Sequence, residues 1–192
     1  MLEDLNILLG VSGGIAAYKA VDLGSKLTAR GANVTTVMTE SACHLIGPKS
    51  FEAVTHSAVY TTMWSTPDHC EISHIALVDS ADVVVVAPAT ANIIGKIANG
   101  ICDDLLSTVL CACWPRIESG AALLAPAMND QMWANPAVRN NVKAVKELGF
   151  QLVGPVEGRL ACGTEGLGRM SDPEEIIEAI ERIASKINKR DS

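Results

Sequence analysis

No apolar run in this sequence approaches the roughly 20 residues that a membrane-crossing helix needs, because charged or polar residues interrupt every one. No dense stripe of lysine or arginine is present either, and the formal charge is −7 at pH 7. Both facts speak against nucleic acid or an anionic membrane as partner. The cysteines, at positions 43, 70, 102, 111, 113 and 162, form no C-x-x-C pair, so no metal site is expected. A basic, then apolar, then cleavable leader is missing: MLEDLNILLG starts acidic and runs into a strand. The expectation is a soluble, cytoplasmic protein with reduced thiols, in which Cys43, Cys70, Cys102, Cys111 and Cys113 serve packing. Repeats, low-complexity segments and linkers are also lacking, and 192 residues suit a single domain.

What is there alternates. LNILLGV (5–11), NVTTVM (33–38), ADVVVVAP (81–88), AALLAP (121–126) and FQLVG (150–154) read as strands. Their near-continuous apolar character suits a parallel sheet covered on both faces. Between the first two, Ala16, Ala20, Leu23 and Leu27 form one helical stripe that stops at Gly31. Residues 92–110 supply two more helical stretches, broken near Asn99-Gly100; residues 136–148 and 172–187 supply the last two, the final one opened by Ser171-Asp172-Pro173-Glu174. The pattern predicts a doubly wound, three-layer, Rossmann-like (flavodoxin-like) α/β domain. Ligands of such sheets bind beyond the carboxyl ends of the strands, and four segments there carry unusual residues.

In VSGGIAAYK (11–19), Ser12-Gly13-Gly14 lies between a strand and a helix, where backbone N–H groups and the Ser12 hydroxyl could bind an anion; a tight turn that binds nothing fits equally. The stretch is neither a Walker A loop nor G-x-G-x-x-G, so no dinucleotide is indicated. In MTESA (38–42), Thr39 and Ser41 either cap the next helix or hold a second polar group. In APATAN (87–92), Thr90 and Asn92 either hold a flavin ring or phosphate or cap a helix, and Asp103-Asp104 reads as a helix start rather than a metal site. In APAMNDQMW (125–133), Met128, Met132 and Asn129 suit either a substrate pocket or a helix staple. His74, beside an apolar run, is by itself an ordinary packed or surface histidine. The last segment, GRLACGTEGLGRM (158–170), is so rich in glycine that a mobile loop is expected, with Cys162 inside it.

Taken together, VSGGIAAYK, SHIALVDSADVVVVAPATANIIGKIANGICDDLL, APAMNDQMW and GRLACGTEGLGRM resemble, in order, the phosphopantothenoylcysteine decarboxylases, members of the FMN-containing cysteine decarboxylases. The likeness runs from about residue 5 to 175. It implies FMN bound between subunits of a homo-oligomer, a trimer or a dodecamer of trimers, with 1–192 as one flavoprotein decarboxylase domain and a lid at about 155–172. Ser12, Gly13, Ile15, Thr39, Ser41, Pro88, Thr90, Ala91, Asn92 and Ser107 would contact the flavin. His74 would be the base, serving a flavin held mainly by a neighbouring subunit. Asn129 would hold the substrate carboxylate, with Met128, Met132, Ala161 and Arg169 also at the substrate. Arg159 or Arg169 would either meet the substrate phosphate or anchor the lid. Cys162 would be the lid's acid.

The implied chemistry explains these groups. Oxidation at the carbon bearing sulfur gives a thioaldehyde, CO₂ leaves to an enethiolate, and a hydride and a proton then complete 4'-phosphopantetheine. A thiol of ordinary pKa, about 8.5, is protonated at neutral pH and can deliver that proton. Relatives that act on a peptide's C-terminal cysteine stop at the enethiol and generally lack the cysteine-bearing lid, so Cys162 favours the coenzyme A enzyme. Thr164 is a departure, since many relatives carry an acidic residue there. A regulatory role without catalysis is disfavoured because the enzyme positions are filled. Many bacterial versions continue into a synthetase domain; the sequence is consistent with either a monofunctional enzyme or one domain of a longer protein.

Overall fold

The computed structural model describes residues 2–64 and 74–187. His69 and Cys70 lie outside the described residues. Six parallel strands form one sheet: β1 (Asn6–Val11), β2 (Asn33–Met38), β3 (Val59–Tyr60), β4 (Val83–Ala89), β5 (Ala122–Pro126) and β6 (Gln151–Leu152), in the order β3-β2-β1-β4-β5-β6. The expected doubly wound sheet is therefore present. Of the run at 150–154, only Gln151 and Leu152 are strand residues. β3 has only two residues, too few to give a periodic signal.

Helices cover both faces. On one side lie α1 (Ala17–Ala29), α2 (Glu40–Cys43), α3 (Pro48–Thr55) and α10 (Pro173–Ile187). Ile7, Leu9, Val83, Val85 and Leu123 point into this layer, against Leu23, Phe51 and Ile180. On the other lie α4 (His74–Asp79), α5 (Ala91–Asn99), α6 (Leu105–Ala112), α7 (Trp114–Glu118), α8 (Asp130–Ala134) and α9 (Pro136–Glu147). Leu8, Val84, Val86 and Leu124, the alternate residues of the same strands, pack there against Ile93, Leu106 and Val145. Each such side chain, taken fully out of water, contributes about 1.5–3 kcal/mol, which is why the strands read as unbroken apolar runs.

The helix boundaries follow local signals. Gly100, at φ +64°, ends α5 in the left-handed conformation. Asp104 accepts from the Ser107 N–H at 2.8 Å, while the Ser107 hydroxyl receives the Asp104 N–H, a reciprocal cap that starts α6 as the aspartate pair suggested. At α10, the Asp172 N–H donates to Glu175 Oε2 at 3.0 Å and Pro173 occupies the first turn. The cysteines divide. Cys113 is buried in the core, whereas Cys102 and Cys111 are exposed free thiols and not the packing residues expected. Cys111 falls on the outer face of α6, between the buried Leu110 and Cys113.

The largest difference from the sequence reading is the segment expected to be a mobile loop. It is an antiparallel ribbon, β7 (Val156–Arg159) paired with β8 (Glu165–Arg169). Its glycines serve close approach. A Cβ on Gly168 would collide with the Met128 carbonyl oxygen, and one on Gly166 would sit 2.9 Å from Asp130 Cβ. The ribbon thus lies against the start of α8, pinned by a hydrogen bond of 3.0 Å from the Met128 N–H to the Gly168 carbonyl.

Candidate active site

The strand order reverses between β1 and β4, and the crevice at their carboxyl ends opens into a cavity of about 1000 Å³. Of the residues singled out from the sequence, Ser12, Gly13, Ile15, Thr39, Ser41, Thr90, Ala91 and Asn92 line its inner part. Met128, Asn129, Met132, Ala161, Cys162 and Arg169 line its outer part. The ribbon brings Cys162 to the rim opposite the sheet.

Three expected residues stand elsewhere. Pro88 is buried behind the wall, its carbonyl accepting the Ser12 hydroxyl at 2.7 Å. Ser107 is buried, its hydroxyl committed to the α6 cap. His74 opens α4, which packs on α6, and does not line the cavity of its own chain.

The inner wall is built by stitching. Ser12 is 1% exposed, and its oxygen also accepts the Thr90 N–H at 3.1 Å, which ties the end of β1 to the end of β4. That hydroxyl is structural, so any anion held here meets the turn's backbone rather than the Ser12 side chain. The helix α1 starts only at Ala17, after a turn through Gly13 and Gly14. A Cβ on Gly13 would run into Ser41, so the two loops can meet only with glycine there. Thr39 accepts from Ala42 N and Thr90 from Ile93 N, the capping alternatives; the Thr90 hydroxyl also lies 3.0 Å from the Ser12 oxygen, while Thr39 keeps a proton to donate.

The outer wall holds Asn129 and Cys162. Asn129 caps α8: its Oδ1 accepts from Gln131 N at 2.9 Å, which turns Nδ2 toward Cys162 Sγ at 3.4 Å. Cys162 occupies the turn between the ribbon strands, closed by a hydrogen bond of 2.8 Å from the Leu160 N–H to the Thr164 carbonyl. Its sulfur lies 3.1 Å from Thr164 Oγ1. The Thr164 hydroxyl and N–H hold the thiol pKa below its ordinary value, against desolvation and with help from Asn129. By contrast, burial pushes the Cys113 thiol up to about 12 and leaves it inert.

Charged groups frame the mouth. Lys96 pairs with Asp104 at 2.5 Å and Asp103 at 2.6 Å; burial draws its pKa down, but the two carboxylates outweigh this and leave it raised. Lys19 pairs with Asp172 at 2.7 Å and holds that carboxyl below its usual range. Arg169 lies 3.8 Å from the same carboxylate, and its Nε is buried without a hydrogen-bond partner among the described residues. Arg169 therefore anchors the ribbon to the start of α10 while lining the cavity. Lys19 and Lys96 were missed in the sequence because each belongs to an amphipathic helix whose lysines look like ordinary solvent-facing residues.

A doubly wound sheet with this cavity and ribbon defines a class, and the chain belongs to it: the Flavoprotein family, matched over residues 1–185. The chain is 47% identical over 182 residues to the coenzyme A biosynthesis bifunctional protein CoaBC of Bacillus subtilis, covering 95% of this chain and 44% of that protein. It thus spans less than half of that relative. It is also 38% identical over 175 residues to a probable phosphopantothenoylcysteine decarboxylase of Streptococcus mutans, covering 91% of this chain and 96% of that one. Among solved structures, a mutant PPC decarboxylase complexed with pantothenoylaminoethenethiol superposes with a TM-score of 0.82 at 33% identity, covering 95% of this chain and 100% of that one. The FMN binding protein AtHal3 superposes at 0.77 with 34% identity, covering 93% and 96%. No helix among the described residues is long and apolar enough to cross a membrane.

Proposed function

We propose that the chain decarboxylates 4'-phospho-N-pantothenoylcysteine to 4'-phosphopantetheine, a carboxy-lyase step in coenzyme A biosynthesis, with FMN as cofactor, in the cytoplasm. The observation that carries this reading is the approach of the Asn129 amide to the Cys162 thiol at 3.4 Å across the mouth of the cavity. The names of the relatives, decarboxylase and coenzyme A biosynthesis protein, support it.

The residues present fit FMN. Gly13 lets the β1 and β2 loops close on each other at the switch point, and the turn through Gly13 and Gly14 lines the cavity with main chain suited to a phosphate. The exposed Ile15 and the apolar Met128 and Met132 offer walls for a flat ring. Thr39, Thr90 and Asn92 offer polar edges, and the volume lies at the upper end of the 300–1,000 Å³ or so usual for small-molecule sites. When bound, FMN supplies the redox chemistry that gives the substrate an electron sink.

The chain's own residues do the rest. The Asn129 Nδ2–H donates to the substrate carboxylate and fixes its orientation. Met128, Met132 and the ribbon exclude water from the reacting carbon. The Cys162 thiol gives its proton to the carbon of the enethiol double bond. His74, which does not line the cavity of its own chain, acts as base in a neighbour's site within a homotrimer or an assembly of trimers.

Incubation of the purified protein with phosphopantothenoylcysteine and mass spectrometry of the product tests the reading. A product lighter by CO₂ alone supports it. No turnover of this substrate, alongside turnover of a peptide ending in cysteine, overturns it.

A further inference from the structure

The Thr164 hydroxyl meets the Cys162 sulfur. Its Oγ1 lies 3.1 Å from Cys162 Sγ, close enough for either atom to donate to the other. The Asn129 amide approaches at 3.4 Å from α8, with its orientation fixed by the bond its Oδ1 makes to Gln131. A side chain at the exposed tip of a ribbon would otherwise sample several rotamers. The charged groups on the elements around it are Glu157, Arg159, Glu165 and Arg169 of the ribbon and Asp130 of α8. Hydrogen bonds from Thr164, rather than any of these charges, hold the thiol pKa below its ordinary value.

We propose that Thr164 is the positioning residue of the lid thiol: its hydroxyl seats Cys162 Sγ beside the Asn129 amide and donates to that sulfur once its proton has left. In the protonation step the S–H bond breaks, the proton passes to the substrate carbon, and the electron pair stays on sulfur. The Thr164 O–H and the Asn129 N–H then face a thiolate, where hydrogen bonds are strongest. Water afterwards reprotonates the sulfur. Only the identity of the proton's acceptor rests on the decarboxylase reading; the seating of the sulfur rests on the distances.

The test is the pH dependence of iodoacetamide alkylation at Cys162 in the holoprotein, read peptide by peptide so that the exposed Cys102 and Cys111 do not contribute. Thr164→Val raises the alkylation midpoint by roughly half to one pH unit, which slows alkylation near neutrality about three- to ten-fold. Thr164→Ala repeats the shift without a branched side chain to misfit, and Thr164→Ser keeps the wild-type midpoint. An unchanged midpoint in both Thr164→Val and Thr164→Ala, or an equal shift in Thr164→Ser, overturns the proposal. Alkylation requires no turnover. A protein showing the shift but failing to decarboxylate would remove the decarboxylase reading and leave the role of Thr164 standing.

Discussion

Asn129 and Cys162 are 33 residues apart in sequence and 3.4 Å apart in space, donor nitrogen to sulfur. One residue thereby caps a helix, lines the cavity and donates toward the Cys162 thiol. The two functions of its amide can be separated. Asn129→Asp keeps an oxygen cap for α8 but loses the Nδ2–H donor and sets a charge against the substrate carboxylate. Its melting temperature should stay near wild type while kcat/KM falls by about 100-fold or more. Asn129→Ala should lose both, with about 1 kcal/mol of stability gone as well. Calorimetry beside steady-state kinetics reads the two effects.

The ribbon's glycines make a second prediction. Gly168→Ala places a methyl group against the Met128 carbonyl and should lift the ribbon from α8, at a cost of about 1–3 kcal/mol. Cys162 then loses its seat, so formation of the saturated product should fall further than decarboxylation itself. Gly163, at φ +89° with open space around it, should tolerate Asn better than Val. Thermal melts and product ratios check both variants.

Acid stability carries a third. Lys19 holds the Asp172 pKa below its unfolded value. The stabilisation is therefore fully present above the unfolded pKa, about 4, and is lost as pH falls through the folded one. Asp172→Asn should lower the melting temperature at neutral pH, and the gap from wild type should narrow below about pH 4. A gap that does not depend on pH would assign the loss to helix capping instead.

Assembly supplies a fourth. If His74 serves a neighbour's site, His74→Asn and Cys162→Ser proteins should each be inactive in forming saturated product. Co-expressed in equal amounts, they should recover about a quarter of wild-type activity, because a mixed oligomer rebuilds some intact sites. No recovery would mean that His74 and Cys162 act from one chain, and a His74→Asn protein active by itself would mean that His74 has no catalytic part.

Much of the fold was legible because a parallel sheet buried on both faces writes itself as unbroken apolar runs; ADVVVVAP is almost nothing else. Val59–Tyr60 was not, since two residues have no period. The ribbon was misread for a physical reason. Glycine signals either freedom or contact, and the contact of Gly166 and Gly168 with Met128–Asp130 exists only once α8 is in place. At the site, Thr39 and Thr90 were marked for capping or ligand, and they cap while facing the cavity. The Lys96–Asp103–Asp104 cluster was half seen, as a helix start without its lysine. Ser12 stood between a ligand donor and a tight turn, and its tie to Pro88, 76 residues on, leaves no mark in local sequence that could separate the two.

In the proposed reaction the Cys162 thiol supplies the proton that, with a hydride, completes the saturated product after CO₂ has left. The most direct measurement is mass spectrometry of the product of phosphopantothenoylcysteine formed by wild-type protein and by Cys162→Ser. The account expects a product lighter by CO₂ alone from wild type, and from the variant mainly a product short of two further hydrogens, with the saturated form reduced about 100-fold or more. Saturated product forming at the wild-type rate in Cys162→Ser would contradict it.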